Sequence, residues 1–325
     1  MTVGRRHFLI GAGAVAMTGA LPALAHTPGT QVIGGRACAT YWRAVLPAGV
    51  KASVLRSDIM AILDGVERRM SPYRPDSEIS KFNRSRDTAP FALSPPTQAV
   101  VGAALRIARL TSGAFDPTLG PAVARFGFGP IAGGRGDGPG GLVQVNGALR
   151  KRDPHLTFDP CGIAKGFALD QIARHLESRG QGDYLVEFGG ETVARGRHPG
   201  GRPWQIGVQA PGPGRLEMQR IIALDGQAVA SSGDYENGYD LGGRRYCHII
   251  DPATDEPIAN GVRAVSVIAR RAMTADALAT ALMVMGPERG MDFANRQGLA
   301  ALFVLRDDGG SREIMTPPFR RHIIV

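Results

Sequence analysis

The chain contains 325 residues, of which 43% are hydrophobic and 21% are charged, a composition typical of globular proteins and long enough for one large domain or two small ones. Its formal net charge of +9 would suit nucleic acid, an anionic membrane surface or phosphate-bearing ligands. The basic residues are scattered, with no run of lysine and arginine and no interleaved aromatic residues, so nucleic-acid binding is not expected.

The first 25 residues have the pattern of an export signal. Arg5 and Arg6 precede an apolar run rich in alanine and glycine, which ends at an Ala-Leu-Ala triplet at 23–25. The paired arginines indicate the twin-arginine route. A membrane anchor is the alternative, but the run is barely long enough to span a bilayer. We therefore expect residues 1–25 to be removed and residues 26–325 to form one periplasmic domain without a membrane anchor.

Apolar periodicity and turn residues predict a series of mixed helices and strands. Helices are expected at 53–70, 95–110 after a cap at Ser94, 163–178, 274–285 after a cap at Thr274, and 291–296. Strands are expected at 184–188, 204–209, 220–224, 245–250, 263–268 and 300–305. The segment at 129–141 is rich in glycine and proline and is predicted to be a flexible surface loop. Because strands and helices do not alternate strictly, the pattern predicts an α+β fold with a mixed or antiparallel sheet and packed helices.

A carboxylate and a hydroxyl share one face of the predicted helix at 274–285. Asp276 and Thr280 lie four residues apart, and the residues around them are small or apolar. A hard cation such as Mg²⁺ prefers oxygen ligands of this kind and accepts one or two carboxylates together with phosphate oxygens. The alternative is structural, since Asp276 would favour the helix dipole and Thr280 would bond back to a helix carbonyl.

A second candidate segment begins the predicted helix at 163–178. Gly162 and Gly166 bracket Lys165, and free N–H groups at a helix start beside a lysine suit a phosphate group. The spacing matches neither a P-loop nor a dinucleotide-binding motif. The chain has only four lysines against 34 arginines, so a lysine at this position indicates a need for a compact ammonium group.

Three further side chains are candidates for catalysis or for ring binding. His248 lies near the end of the predicted strand at 245–250, a suitable position for a general base, although many such histidines are structural. Tyr73 and Phe115 lie in turn-rich loops, where they would either stack on a ring system or belong to the core.

The three cysteines form neither a disulfide framework nor a zinc pattern. Cys38, Cys161 and Cys247 are widely spaced and odd in number. We expect buried free thiols, with a single disulfide as the alternative.

Five segments, in order, resemble the FAD:protein FMN transferases, an ApbE-like family. They read SPYRPDSEISKFN at 71–83, TSGAFDPTLGP at 111–121, GIAKGFALD at 162–170, SSGDY followed by YCHIIDP within 231–252, and MTADALATAL at 273–282. The resemblance extends from about residue 35 to residue 315 and implies the α+β architecture of that family.

The resemblance also implies a set of ligands and roles. Mg²⁺ would be held by Asp276, Thr280 and the backbone carbonyl of Ala164. FAD, the substrate, would be held by Tyr73, Ala114, Phe115, Asp116, Lys165, Asp170, His248 and Ile250. A threonine or serine hydroxyl of an acceptor protein would attack the FMN phosphorus, and AMP would leave. Lys165 would stabilise the developing charge and His248 would act as the base.

The chain departs from the family pattern at three places. Cys38 and Ala39 replace a usual Met-Gly pair, Cys161 replaces a usual glycine, and the twin-arginine signal replaces a lipid-attachment signal. The last feature resembles the branch that serves maturation of nitrous oxide reductase by flavinylating its membrane-bound electron-transfer partner. Two other functions stay open, a periplasmic hydrolase that converts FAD to FMN and AMP, and a non-catalytic flavin-binding carrier.

Overall fold

The computed structural model describes residues 29–134, 138–212, 218–235, 237–307 and 310–325. The predicted signal peptide lies outside the described residues, as does part of the predicted loop at 129–141. None of the helices in the described ranges is both long and apolar enough to cross a bilayer.

The strands of the described chain are β1 (Thr30–Ala37), β2 (Thr40–Pro47), β3 (Phe91–Ala92), β4 (Leu142–Val145), β5 (Ala148–Lys151), β6 (Tyr184–Phe188), β7 (Glu191–Arg195), β8 (Trp204–Gln209), β9 (Met218–Leu224), β10 (Ala228–Gly233), β11 (Gly238–Leu241), β12 (Arg244–Cys247), β13 (Ile250–Asp251), β14 (Glu256–Pro257), β15 (Val262–Ala269), β16 (Ala300–Asp307) and β17 (Gly310–Met315). The α-helices are α1 (Ala52–Met70), α2 (Glu78–Arg84), α3 (Pro95–Leu110), α4 (Gly120–Arg125), α5 (Ala164–Ser178), α6 (Ala272–Arg296) and α7 (Pro317–Arg320).

An eight-stranded sheet forms the centre of the fold, with the order β1-β2-β6-β7-β10-β15-β16-β17. Every neighbouring pair in it is antiparallel. The sheet therefore joins strands from both ends of the described chain. The predicted α+β class with an antiparallel sheet is confirmed.

Both faces of the sheet are covered, and β16 shows this in its side-chain alternation. Ala301, Phe303 and Leu305 pack with helices α3 and α6 on one face. Leu302 and Val304 point to the other face, where they pack with the β8–β9 hairpin and α7. A strand buried on both faces reads as a continuous apolar run rather than as an alternating one.

Helix α6 differs from its prediction at its start, and a kink separates the two parts that were predicted as helices at 274–285 and 291–296. It begins after Arg271, so Thr274 is not the cap. At Gly286 the backbone leaves helical geometry, with φ 78° and ψ 178°, and Pro287 follows. Proline at this point has no N–H for the helix ladder, so the element bends there.

The predicted strand at 245–250 is wrong as a single strand. β12 ends at Cys247 and β13 begins at Ile250. β12 pairs with β11, whereas β13 pairs with β14. Because the two halves have different partners, the chain turns between them, and His248 lies at that turn.

Lys151 is buried in the structure and links three segments of the chain. Its side chain is 1% exposed, and Nζ donates to the carbonyls of Phe82, Ser85 and Leu156 at 3.1, 3.0 and 2.8 Å. Lys151→Met is expected to lower the free energy of unfolding by about 3 kcal/mol, because two buried carbonyls and one partly buried carbonyl lose their donor. Urea denaturation measures the change, with the exposed Lys81→Met as the control. An unchanged urea midpoint in Lys151→Met would contradict the prediction.

Candidate functional site

Asp276 and Thr280 lie side by side in the first half of α6, facing the start of α5. Asp276 is 4% exposed, and its Oδ2 accepts the N–H of Gly166 at 3.0 Å. The hydroxyl of Thr280 lies 3.2 Å from that of Ser232 on β10. Burial raises the pKa of Asp276, while the charge of Lys165 opposes the rise. The structure thus brings together a buried carboxylate, two hydroxyls and an ammonium group.

The two glycines of the α5 segment allow α5 to approach its neighbours closely. A side chain at Gly166 would overlap the backbone of Ala272 in α6. A Cβ at Gly162 would lie 3.1 Å from the ring of Phe115 and 3.4 Å from the hydroxyl of Thr280. The N–H of Gly166 is bonded to a carboxylate, so these glycines act here through close packing rather than by presenting that N–H to a phosphate.

Asp170, which the resemblance assigns to FAD, contacts the N-terminus of α6 in the structure. Its Oδ1 accepts the N–H of Ala272 at 2.8 Å, and its Oδ2 lies 3.3 Å from both the N–H of Met273 and Nε of Arg271. A side-chain cap of this kind is worth about 0.5–2 kcal/mol. Both oxygens face α6, so the geometry favours a role in positioning the turn that carries Asp276.

Lys165 extends from the start of α5 to the turn between β6 and β7. Its Nζ lies 2.6 Å from Oε1 of Glu191 and 3.4 Å from the carbonyl of Gly189. Glu191 is 1% exposed, and burial raises its pKa, whereas the ammonium of Lys165 lowers it and so favours the charged carboxylate. Sequence reasoning missed Glu191. Its signal was weak, an acidic residue after Gly189-Gly190 at the start of a strand.

His248 is half-buried and oriented by the carbonyl of Asn237. That oxygen accepts the backbone N–H of His248 at 3.2 Å and lies 3.3 Å from Nδ1. A carbonyl only accepts, so we assign the proton to Nδ1, which leaves a lone pair on Nε2. Burial and, to a smaller extent, the charge of Lys165 lower the pKa of His248. The ring is therefore a neutral acceptor at neutral pH.

Tyr73 presents an open aromatic face near these groups. It is 65% exposed, and its hydroxyl donates to the carbonyl of Phe128 at 3.1 Å. Burial of the hydroxyl and the nearby Cys161 and Asp159 raise its pKa. An exposed ring held at its hydroxyl end is suited to stack on a planar ligand.

The other predicted FAD contacts lie in the protein interior. Ala114, Phe115 and Ile250 are at most 8% exposed and belong to the hydrophobic core. Asp116 is also 8% exposed, and its Oδ1 accepts the N–H and the hydroxyl of Thr118 at 2.8 and 2.6 Å. Of these side chains, Phe115 lies beside Gly162, where a Cβ would be 3.1 Å from its ring.

The residues that depart from the family pattern lie close to the site. Cys38 and Ala39 form the two-residue turn between β1 and β2, with φ 50° and 59°. The next residue, Thr40, lies against Gly189, the residue whose carbonyl faces Lys165. A left-handed turn favours glycine, so alanine at the second position is the strained choice.

All three cysteines are free, but the prediction of buried thiols holds for Cys247 alone. Cys38 and Cys161 are exposed. The N–H of Cys161 donates to Oδ1 of Asp159 at 2.9 Å, which places the thiol at the loop before α5. The single disulfide that was the alternative is absent among these three residues.

The donor set of the site restricts the kind of metal that it could hold. Over the described ranges, no three histidine, cysteine, aspartate or glutamate side chains cluster as a metal cage. The Asp276 carboxylate, the Thr280 hydroxyl and the first carbonyl of α5, that of Ala164, offer oxygen atoms only. Such a partial set fits Mg²⁺, which keeps several waters and shares phosphate oxygens with a substrate.

Comparison with known proteins extends over nearly the whole described chain. The ApbE family model matches residues 38–303. An FAD:protein FMN transferase of Vibrio cholerae serotype O1 is 40% identical over 289 residues, 84% of this chain and 86% of that protein. Its counterpart in Escherichia coli strain K12 is 33% identical over 322 residues, 93% of this chain and 92% of that protein.

Solved structures of flavin transferases have the same fold as this chain. The flavin transferase ApbE from Vibrio cholerae superposes with a TM-score of 0.81 at 37% identity, covering 90% of this chain and 99% of that chain. The apo form of the Pseudomonas stutzeri flavinyl transferase ApbE gives a TM-score of 0.82 at 34% identity, covering 91% of this chain and 97% of that chain. The residues matched by the family model include every residue of the candidate site described above.

Proposed function

The chain belongs to the ApbE family and is an FAD:protein FMN transferase, and we propose that it transfers the FMN moiety of FAD to a threonine or serine hydroxyl of an acceptor protein in a Mg²⁺-dependent reaction that releases AMP. One observation carries the proposal. The buried Asp276 lies beside Thr280 and within electrostatic reach of Lys165, which is an arrangement for binding a cation and a phosphate together.

The residues present fit Mg²⁺. A carboxylate that is 4% exposed on a helix of small and apolar residues is costly without a cation or donor, and the donor that it has among the described residues is the N–H of Gly166. Asp276, Thr280 and the carbonyl of Ala164 would hold the ion. When bound, Mg²⁺ would neutralise the diphosphate and favour the departure of AMP.

The protein side chains would supply positioning, charge and a base. Lys165 would place its ammonium against the diphosphate and stabilise charge in the transition state. Nε2 of His248 would accept the hydroxyl proton. A bond forms between the acceptor oxygen and the FMN phosphorus, and the bond from that phosphorus to the bridging oxygen breaks, with its electron pair leaving on AMP. Tyr73 would stack on the flavin.

One assay separates this reaction from its two alternatives. The protein is incubated with FAD and Mg²⁺, with and without an acceptor that carries a reactive threonine, while AMP and fluorescent protein bands are measured. Transfer gives AMP and a fluorescent acceptor in equal amounts. A hydrolase releases AMP and FMN without any acceptor, and a carrier releases no AMP at all. Either of these outcomes would overturn the proposal.

Export by the twin-arginine route is the proposed basis of a periplasmic location. Replacing Arg5 and Arg6 by lysine is expected to leave the precursor in the cytoplasm, because the paired arginines identify this route. Cell fractionation and immunoblotting measure the distribution. Replacing the exposed pair Arg320 and Arg321 by lysine is the matched control. Normal levels of mature periplasmic protein in the first variant would contradict the route.

The acceptor is proposed to be a membrane-bound electron-transfer protein. This proposal rests on the twin-arginine signal, which resembles that of the branch serving nitrous oxide reductase maturation. It is tested by asking whether deletion of the gene for this chain removes covalent flavin from such a protein. Retention of the flavin would exclude it as the acceptor.

A further inference from the structure

Glu191 is a buried carboxylate with one strong partner and one unused oxygen. Its Oε1 lies 2.6 Å from Nζ of Lys165, and its side chain is 2% exposed. Its Oε2 is buried and has no hydrogen-bond partner among the residues that the structure describes. An incompletely satisfied buried carboxylate is costly, so its presence calls for a function that a neutral side chain would not serve.

The position of Glu191 is rigid, whereas that of Lys165 is not. Glu191 is the first residue of β7 and pairs with Phe188 across the tight turn from β6. Lys165 has a long aliphatic stem and a side chain that is 40% exposed, so its ammonium can reach several places. The carboxylate therefore determines where the ammonium lies, and not the reverse.

A second carboxylate competes for the same ammonium. Asp276 lies next to the segment that carries Lys165, because its Oδ2 accepts the N–H of Gly166, the residue after Lys165, at 3.0 Å. An ammonium released from Glu191 would pair with Asp276. That pairing would neutralise the carboxylate on which the cation site depends.

We propose that Glu191 is a positioning residue for flavin transfer, which anchors the Lys165 ammonium at the start of β7 and so keeps Asp276 available to the cation. The inference rests on the proposed function of Lys165 and Asp276. In this role Glu191 acts through Lys165 and does not contact the reacting atoms.

The test uses Mn²⁺ as a spectroscopic probe of the cation site, because Mn²⁺ accepts the same oxygen ligands as Mg²⁺. Binding to the FAD-free protein is measured by electron paramagnetic resonance of the free ion. Glu191→Gln is expected to raise the Mn²⁺ dissociation constant about tenfold, which is about 1.4 kcal/mol. Adding Lys165→Met to this variant is expected to restore Mn²⁺ affinity, because the competing ammonium is gone, although flavin transfer stays low.

The restoration of binding separates positioning from general structural damage. A variant that is merely misfolded would not regain metal affinity when a second site residue is removed. Glu187→Gln is the matched control, since Glu187 is also buried, lies on the adjacent β6 and pairs with Arg43. We expect it to leave Mn²⁺ binding unchanged.

Two outcomes would overturn the inference: unchanged Mn²⁺ affinity in Glu191→Gln, or no recovery in the double variant. If Glu191→Gln does not fold, Glu191→Asp keeps the charge but shortens the reach, and it should raise the dissociation constant at least about threefold. The unmodified protein is assayed for flavin transfer in parallel. A lack of transfer there would count against the proposed function, whereas a normal rate with unchanged Mn²⁺ binding in the variants would count against Glu191 alone.

Discussion

Replacing Asp276 by alanine is expected to lower the rate of flavin transfer by at least about 10³-fold while the protein still folds. A bound metal ion supplies several kcal/mol of transition-state stabilisation, and about 1.4 kcal/mol corresponds to a factor of ten in rate. The fold should tolerate the change because two effects oppose each other. The N–H of Gly166 loses its acceptor, but the cost of burying a carboxylate is removed as well.

The measurement is the rate of AMP release and acceptor labelling at saturating Mg²⁺, together with the melting temperature. Asp276→Asn is the sharper variant, because it keeps an oxygen to accept the Gly166 N–H and loses only the charge. It should be almost as inactive as the alanine variant. Thr280→Ala should be milder, since a hydroxyl contributes less than a carboxylate to a hard cation. Most of the activity surviving in Asp276→Ala would place the metal elsewhere.

Replacing His248 by alanine is expected to lower the transfer rate by about 10²-fold or more, with a much smaller change in FAD affinity. In the proposed reaction a proton leaves a weakly acidic hydroxyl, and the orientation of His248 by Asn237 leaves the lone pair on Nε2 free to accept it. In a loose phosphoryl-transfer transition state the proton leaves late, which limits the effect to the lower part of the range for a general base.

The pH dependence of the rate follows from the lowered pKa of His248. The base works only when neutral, so the rate should fall as pH drops through that pKa. Because burial and Lys165 lower the pKa below that of a free imidazole, this fall is expected at a lower pH than for an exposed histidine. The fall in rate at low pH should be absent from the pH–rate profile of His248→Ala.

FAD affinity, melting temperature and transfer rate measured on one His248→Ala sample distinguish a base from a structural residue. If His248 is a base, the variant loses transfer rate while FAD affinity and melting temperature change little. If His248 is structural, all three quantities fall in proportion. Parallel loss would demote His248 and leave Asp251 or a metal-bound water as the better candidate. Phe128, whose ring packs edge-on to His248 with centroids 6.4 Å apart, offers the control. Phe128→Leu should change melting temperature more than it changes the pH profile.

The local sequence pattern was sufficient for elements with a clear apolar periodicity or a short apolar run. The helix predicted at 53–70 is α1, and the strands predicted at 184–188 and 204–209 match β6 and β8. The apolar residues of α1 recur at helical spacing, whereas β6 is a short run that is buried at all five positions, and both patterns can be recognised without knowledge of their partners. β7 and β10 carry short or polar runs, and they became strands because the central sheet supplies hydrogen-bonding neighbours on both sides.

The sequence by itself determined the fold class and the family, because the order of the motifs and the apolar periodicity within each helix or strand can be read directly from the chain. It also placed Asp276 and Thr280 on one helix face, since residues four apart must share it. Only the tertiary structure decided that Asp170 caps α6, a helix that begins 102 residues later, and that Glu191 forms an ion pair with Lys165. Such contacts depend on how elements that are distant in the sequence pack together, and local sequence patterns do not reveal that packing.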